Sequence, residues 1–209
     1  MTGDSGNQQN RRDFMVNMVP ACALACLGCR SLFTPALAAA QETTQKAADG
    51  FEEEFTLTYK KLFEYRYKRN FIPVFEAIGA EIGREKMLEL LRNASAKNNR
   101  DLGERAAKSR PTNDLHTFAE PFRNPRGVFK HANVYDIVED TETVFAIRVR
   151  DCLSARTFLE SDAADIGYAA VCHADYALPQ GFNPKITLER DKTLMQGHDY
   201  CNHRYVMEG

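Results

Sequence analysis

The sequence contains no tryptophan, no long basic run and little net charge. Its 27 Lys and Arg nearly balance its 29 Asp and Glu, which leaves a formal net charge of −2. Because a nucleic-acid-binding face needs clustered positive charge, this balance argues against a nucleic-acid partner. The 13 Phe and 8 Tyr supply the aromatic bulk instead. The chain is long enough for one domain with a sizeable core and an appendage.

A long apolar segment is also lacking, because the N-terminal apolar run from Val16 to Leu27 is too short to span a membrane as a helix. The run follows the pair Arg11 and Arg12, in a segment that resembles the twin-arginine export signature. We therefore predict that this segment does not form a stable membrane span. We also predict the twin-arginine export machinery as a partner.

Small-x-small triplets that end at Ala38 and Ala40 are suited to signal peptidase. They predict an export signal over residues 1–40, cleaved near one of these alanines, and a periplasmic or otherwise exported mature protein. The alternatives are a disordered tail and a lipoprotein modified at Cys29.

After such cleavage the chain keeps three cysteines, Cys152, Cys172 and Cys201. An odd count in an oxidising compartment leaves at least one thiol without an intrachain partner. This leftover thiol is a reason to expect a reactive or metal-bound cysteine.

The first half of the mature chain is predicted to be helical. Apolar residues recur at helical spacing from Phe51 to Leu91, with breaks predicted at Pro73 and Gly83 and an end near Asn99. The prolines between residues 111 and 125 then predict a long irregular connection, of the kind that forms a lid or a pocket wall.

Alternating apolar and polar residues over 133–138 and 143–149 predict an antiparallel hairpin. In its second strand, Phe145, Ile147 and Val149 share one face. The fold class is α+β: an N-terminal helical layer packed on an antiparallel sheet, with a C-terminal helix and closing strand carrying the site. Residues 41–209 are expected to form a single domain.

The last third concentrates the residues suited to catalysis or metal binding. A helix is predicted over Ala163 to Ala177, followed by a final strand over Asp199 to Met207. Residues three or four apart share a stripe of a helix, and alternate residues share a face of a strand. The helix stripe holds Asp165, Tyr168, Cys172 and Asp175, and the strand face holds Asp199, Cys201, His203 and Tyr205.

Three interpretations of these residues remain open. Cys172 or Cys201 is a thiolate nucleophile, with His173, His203 or Asp175 as its base or orienting group. Alternatively, Cys172, Cys201 and His203 hold a divalent metal such as zinc or manganese, whose bound water hydrolyses a substrate. In the third, Cys172 and Cys201 form a structural disulfide.

Segments of this region resemble the L-2-amino-thiazoline-4-carboxylic acid hydrolase family. Cys172 and Asp175 match its C-x-x-D element, and Gly197, Cys201 and Arg204 match its closing G-x-x-x-C-x-[FH]-R element. The resemblance covers roughly residues 133–206. It implies a hydrolase that adds water at the C=N carbon of a small cyclic amidine and opens its ring.

We therefore predict an exported hydrolase that acts on a non-peptide C–N bond of a small cyclic amidine or sulfur heterocycle. Its expected catalytic residues are Cys172, Asp175, His203 and His173, and Tyr168, Arg204 and Asp165 are expected to bind substrate. The alternative is a non-catalytic periplasmic protein that binds a metal or a thiol-reactive ligand through its Cys and His residues. In either case the Cys172 and Cys201 sulfurs should converge on one pocket, with Asp175 and His203 beside them.

Overall fold

The computed structural model describes residues 56–209, and residues 57–209 form one compact unit. The predicted export signal and the predicted domain start at Gln41 lie outside the described residues. None of the helices within residues 56–209 is both long enough and apolar enough to cross a membrane.

Helices form the N-terminal half of the compact unit. Helix α1 (Tyr59–Arg66) passes through a π-helical turn (Tyr67–Phe71) into α2 (Ile72–Ile82), and α3 (Arg84–Lys108) follows. Gly83 separates α2 from α3 at a φ of +91°, which favours glycine, so the predicted break there is confirmed.

The predicted end near Asn99 is wrong, whereas α2 begins at Ile72, next to Pro73, as predicted. A π-helical turn rather than an interruption joins α1 to α2, and Pro73 lies in the first turn of α2. Helix α3 continues past Asn99 because its last turns pack on a later helix. A Cβ at Gly103 would lie 2.3 Å from the Leu178 carbonyl oxygen, so the two backbones are in close contact.

Two short helices, α4 (Leu115–Arg123) and α5 (Gly127–Ala132), replace the predicted irregular connection. Asp114 caps α4 by accepting the Thr117 N–H at 2.7 Å. Helix α4 then buries Leu115 and Phe118 against the sheet, and this burial stabilises a segment that its prolines suggested was irregular.

The sheet is antiparallel, with strand order β1-β2-β4-β3. Its strands are β1 (Asn133–Asp140), β2 (Val144–Cys152), β3 (Ile186–Glu189) and β4 (Cys201–Met207). The predicted hairpin is β1–β2, and Phe145, Ile147 and Val149 of β2 are buried as one face. The α+β fold class is therefore confirmed.

The predicted helix over Ala163 to Ala177 is helical from Ala164 onward, but it is not a regular α-helix and it continues to Phe182. After α6 (Leu153–Leu159), the chain forms α7 (Ala164–Gly167), a π-helical turn (Tyr168–Cys172), a 3₁₀ turn (His173–Tyr176) and α8 (Ala177–Phe182). A π-helical turn holds more residues than an α-helical one, so it changes which side chains share a face. Asp165, before this turn, and Cys172, at its end, therefore do not share the predicted α-helical stripe.

Candidate active site

A cavity of about 280 Å³ lies between the buried face of the sheet and the segments that follow α7. We call it the thiol cavity, because all three cysteines of the described residues line it. Its polar half is formed by Cys152, Cys172, Asp175, Arg190, Cys201, His203 and Tyr205. Its apolar half is formed by Phe122, Phe129, Ile147, Val149, Val171 and Leu178.

Local backbone geometry brings the polar half together. Alternation along β4 places Cys201, His203 and Tyr205 on one face, as predicted, whereas Asp199 precedes the strand and is exposed. The π-helical turn ends at Cys172, and the 3₁₀ turn that follows carries Asp175. The predicted convergence of both sulfurs with Asp175 and His203 on one pocket is confirmed; their chemical roles stay predictions.

Arg190 lies at the centre of the polar half, and its side chain is only 1% exposed. Its Nη1 donates to Asp175 Oδ2 at 2.7 Å and lies 3.2 Å from His203 Nε2. Its Nη2 donates to the Cys172 carbonyl oxygen at 2.7 Å. The guanidinium therefore connects the segment after β3, the 3₁₀ turn and β4.

Sequence reasoning missed Arg190 as a site residue. It lies among the charged neighbours Glu189, Asp191 and Lys192, so nothing in the sequence distinguishes one buried arginine from an exposed charged run. Its guanidinium also stacks on the Tyr176 ring, 4.9 Å from the centroid, while the Tyr176 hydroxyl donates to the Arg190 carbonyl oxygen. These contacts form only in the folded chain.

The tautomer of His203 follows from its contact with Arg190. A guanidinium has no acceptor, so His203 Nε2 must accept, and Nδ1 carries the proton toward the Tyr205 hydroxyl at 3.4 Å. Burial, together with the charge of Arg190, lowers the pKa of His203 to about 3. His203 is therefore neutral at physiological pH.

Asp175 has the opposite perturbation. Burial raises its pKa to about 6, although the charge and hydrogen bond of Arg190 act to lower it. Its side chain is 29% exposed and lines the thiol cavity, so the exposed part faces the cavity. A carboxyl group with this pKa changes protonation close to neutral pH, which suits a group that accepts and returns a proton.

Within residues 56–209, Cys152, Cys172 and Cys201 are all free, so the predicted alternative of a disulfide between Cys172 and Cys201 is not observed. Burial and the charge of Asp175 raise the pKa of the Cys172 thiol well above its ordinary value. Burial raises the pKa of Cys201 and Cys152 in the same direction. At neutral pH these groups are therefore thiols rather than thiolates.

The thiol cavity does not have the chemistry of a metal centre. Within residues 56–209 no group of three His, Cys, Asp or Glu side chains is arranged to hold a metal ion. Arg190 donates toward His203 Nε2, which takes the lone pair that a metal would need. The predicted ligand set of Cys172, Cys201 and His203 is therefore not supported by the geometry.

Four predicted site residues lie outside the thiol cavity. His173 is partly buried beside Tyr176, and Tyr168 packs on the apolar core between α2, α3 and α6. Asp165 accepts two hydrogen bonds from Arg84, at 2.6 and 2.8 Å. The π-helical turn accounts for the separation of Asp165 from Cys172.

Arg204 lies on the face of β4 opposite to His203. It pairs with Glu189 of the neighbouring strand β3 at 2.6 Å and with Glu139 of β1, two strands away, at 3.5 Å. Arg204 therefore belongs to a surface ion-pair network of the sheet. It does not line the thiol cavity, which corrects its predicted position at the substrate.

A small, mostly apolar cavity with a few converging polar side chains is typical of sites that bind small molecules. The model of the L-2-amino-thiazoline-4-carboxylic acid hydrolase family matches residues 62–205, well over half of the chain. The chain therefore belongs to this family. Among curated proteins, no relative matches it.

Two solved structures are similar to the chain at low identity. One is a trafficking protein particle complex subunit 3 from Naegleria fowleri covalently bound to palmitic acid, with 12% identity, coverage of 72% of this chain and 95% of that chain, and a TM-score of 0.43. The other is the phenol-responsive sensory domain of the transcription activator PoxR with phenol, with 10% identity, coverage of 73% and 76%, and a TM-score of 0.41. At these TM-scores neither likeness carries an argument about this chain.

Proposed function

We propose that the chain is a hydrolase that opens the ring of a small cyclic amidine in the thiol cavity, at a ring C–N bond. The family membership supports the reaction class. The observation that carries the proposal is the contact between Asp175 and Arg190 on the wall of a cavity that also holds Cys172 and His203. At about 280 Å³ the cavity lies near the lower end of small-molecule pockets, which span roughly 300–1,000 Å³.

Asp175 carries the proton in this proposal. The amidine binds protonated on its ring nitrogen, and Asp175 as a carboxylate takes a proton from water while the water oxygen bonds to the amidinium carbon. Asp175 then gives this proton to the ring nitrogen as the C–N bond breaks. The hydroxyl proton on the carbon leaves to solvent as the C=O bond forms, so that one water is consumed and Asp175 is restored. Arg190 holds Oδ2 of Asp175 at 2.7 Å and fixes the position of the carboxyl group.

Cys172 offers a variant of the same route, in which its sulfur attacks the amidine carbon before water does. Because its pKa is raised, the thiol must transfer its proton as it attacks, and Asp175 is the titratable group of suitable pKa on the same cavity wall. Cys172→Ser separates the two routes. Loss of more than about 100-fold in turnover supports covalent attack, and a smaller loss supports direct attack by water.

The central test uses the full chain with 2-aminothiazoline-4-carboxylate, with the ring-opened product followed by mass spectrometry. Asp175→Asn should lower turnover by about 100-fold or more. The matched control is Asp101→Asn, because Asp101 also pairs with a basic side chain, Lys97, but lies on the outer surface of α3. The absence of turnover, or equal losses in both variants, would contradict the proposal.

The bond that breaks is identified from the product. Breaking the ring C–N bond releases a free amine, whereas breaking the C–S bond releases a free thiol. After the protein is removed by filtration, thiol and amine reagents distinguish these products, and a stoichiometric thiol would contradict C–N cleavage.

A second candidate is a non-catalytic binding protein for a thiol-reactive ligand, and the presence of three free thiols on one cavity favours it. This candidate predicts a stable one-to-one adduct with a small electrophile, visible by mass spectrometry, together with no turnover of any heterocycle. Turnover by the wild type excludes it as the sole function.

We also propose that the protein is exported through the twin-arginine pathway, on the basis of Arg11, Arg12 and the small-residue sites near Ala38 and Ala40. Replacing both arginines with lysine should retain the full-length chain inside the cell. Cell fractionation and the mass of the mature protein measure this outcome. Correct export of the double-lysine variant would contradict it.

A further inference from the structure

We propose that a second, apolar cavity beside the thiol cavity receives an alkyl chain of the same ligand, so that the substrate class is an amidine with an apolar tail. The inference rests on the proposed function for the polar head of that ligand. We call the second cavity the tail cavity. Its volume is about 300 Å³, and α3, α4, α5 and α8 form its walls.

The two cavities share part of their walls. Phe122, Phe129 and Leu178 line both of them. All three belong to the apolar half of the thiol cavity, whereas Asp175 and His203 line only the thiol cavity. A ligand with its polar head at Asp175 therefore extends toward the tail cavity through apolar surface.

The remaining walls of the tail cavity are suited to hydrocarbon. Leu102, Ala106, Phe118 and Phe182 contribute apolar surface, while Arg110 and Thr117 are its polar side chains. Leu102 is 46% exposed, so the tail cavity opens toward solvent on the side of α3. Apolar surface of this kind gives water few hydrogen-bond partners, and covering it with an alkyl chain is favourable.

The Asp175 oxygen that is not bonded to Arg190 provides the contact for the head group. Above a pH of about 6 Asp175 is mainly a carboxylate, and its Oδ2 alone is bonded to Arg190 among the described contacts. A protonated amidine donates two parallel N–H groups, which matches a carboxylate acceptor. The ligand is thus a cation at one end and apolar at the other.

The test measures binding of acetamidine, butanamidine, hexanamidine and octanamidine to the full chain by calorimetry at pH 8. Each methylene that becomes buried should lower Kd about fourfold until the tail cavity is filled. Ala106→Phe fills the tail cavity from α3 without touching the thiol cavity. It should remove the dependence on chain length and leave acetamidine affinity within about twofold of the wild type.

Ala94→Phe is the matched control, because Ala94 is an exposed residue of the same helix, away from both cavities. It should keep the wild-type dependence on chain length. Ala106→Leu is the milder variant should the phenylalanine prevent folding, and it should weaken octanamidine binding more than butanamidine binding.

A Kd independent of chain length in the wild type would overturn the inference. So would octanamidine binding that is the same in Ala106→Phe, Ala106→Leu and the wild type. Turnover of 2-aminothiazoline-4-carboxylate, measured separately, distinguishes the two proposals. If Kd depends on chain length but there is no turnover, the tail cavity is supported and the proposed hydrolase is contradicted. If there is turnover but Kd does not depend on chain length, the hydrolase is supported and the tail cavity is contradicted.

Discussion

Replacing Arg190 with methionine should be among the most destabilising changes in the thiol cavity. Methionine keeps much of the side-chain length but has no donor. The change leaves Asp175 Oδ2, the Cys172 carbonyl oxygen and His203 Nε2 without the guanidinium that now contacts them. Because Arg190 is 1% exposed, bulk solvent does not reach those bonds, and only water inside the thiol cavity can replace part of them.

The magnitude follows from breaking a buried ion pair on one side only. Such a change leaves an uncompensated buried charge and costs about 3–5 kcal/mol of the free energy of unfolding. Arg84→Met is the control: its pair with Asp165 has both side chains about 40% exposed, so its loss should cost less than about 1 kcal/mol. The double variant Arg190→Met with Asp175→Asn should recover roughly half or more of the loss, because no unpaired charge remains.

The loss should also depend on pH. Without Arg190 the pKa of Asp175 should rise above its wild-type value of about 6, since burial is the larger cause and Arg190 opposes it. A carboxyl group with a raised pKa binds more protons in the folded state, so stability falls as pH rises from about 4 through the folded pKa. The difference between variant and wild type should therefore be larger at pH 8 than at pH 5.

Urea unfolding of the wild type, both single variants and the double variant at the two pH values measures these quantities. The reasoning is refuted if Arg190→Met costs no more than Arg84→Met. An equal cost at pH 5 and pH 8 would refute the assignment of the penalty to Asp175.

Three further changes test other parts of the structure. Gly103→Ala should cost about 1–3 kcal/mol by urea unfolding, because a Cβ would lie 2.3 Å from the Leu178 carbonyl oxygen, and an unchanged midpoint would contradict this contact. His203→Asn should gain stability relative to the wild type as pH falls from about 6.5 to about 3. In this range the depressed pKa of His203 makes the folded wild type bind fewer protons than its unfolded state. A stability difference between variant and wild type that stays constant with pH would contradict the burial of His203 as a neutral ring. A reducing agent should leave the melting temperature unchanged, because Cys152, Cys172 and Cys201 are free. A loss of about 2–5 kcal/mol in the free energy of unfolding on reduction would support a disulfide between Cys172 and Cys201.

The sequence by itself determined the features that depend on local pattern. A period of two predicts the β1–β2 hairpin and places Cys201, His203 and Tyr205 on one face of β4, because side chains alternate along a strand whatever it packs against. Gly83 predicts the break between α2 and α3, because few other residues adopt its backbone conformation. The Cys172 and Asp175 motif indicates the family that the comparison confirms.

Only the tertiary structure decided which residues meet in the thiol cavity. The π-helical turn rotates Asp165 away from the face of Cys172, a change that α-helical spacing cannot predict. Arg190 becomes the central charge because packing around β3 and β4 buries it next to Asp175, although it resembles its exposed neighbours in sequence. Contacts between residues far apart in the chain set burial, and burial sets the pKa values of Asp175 and His203, so the protonation states of the site follow from the fold.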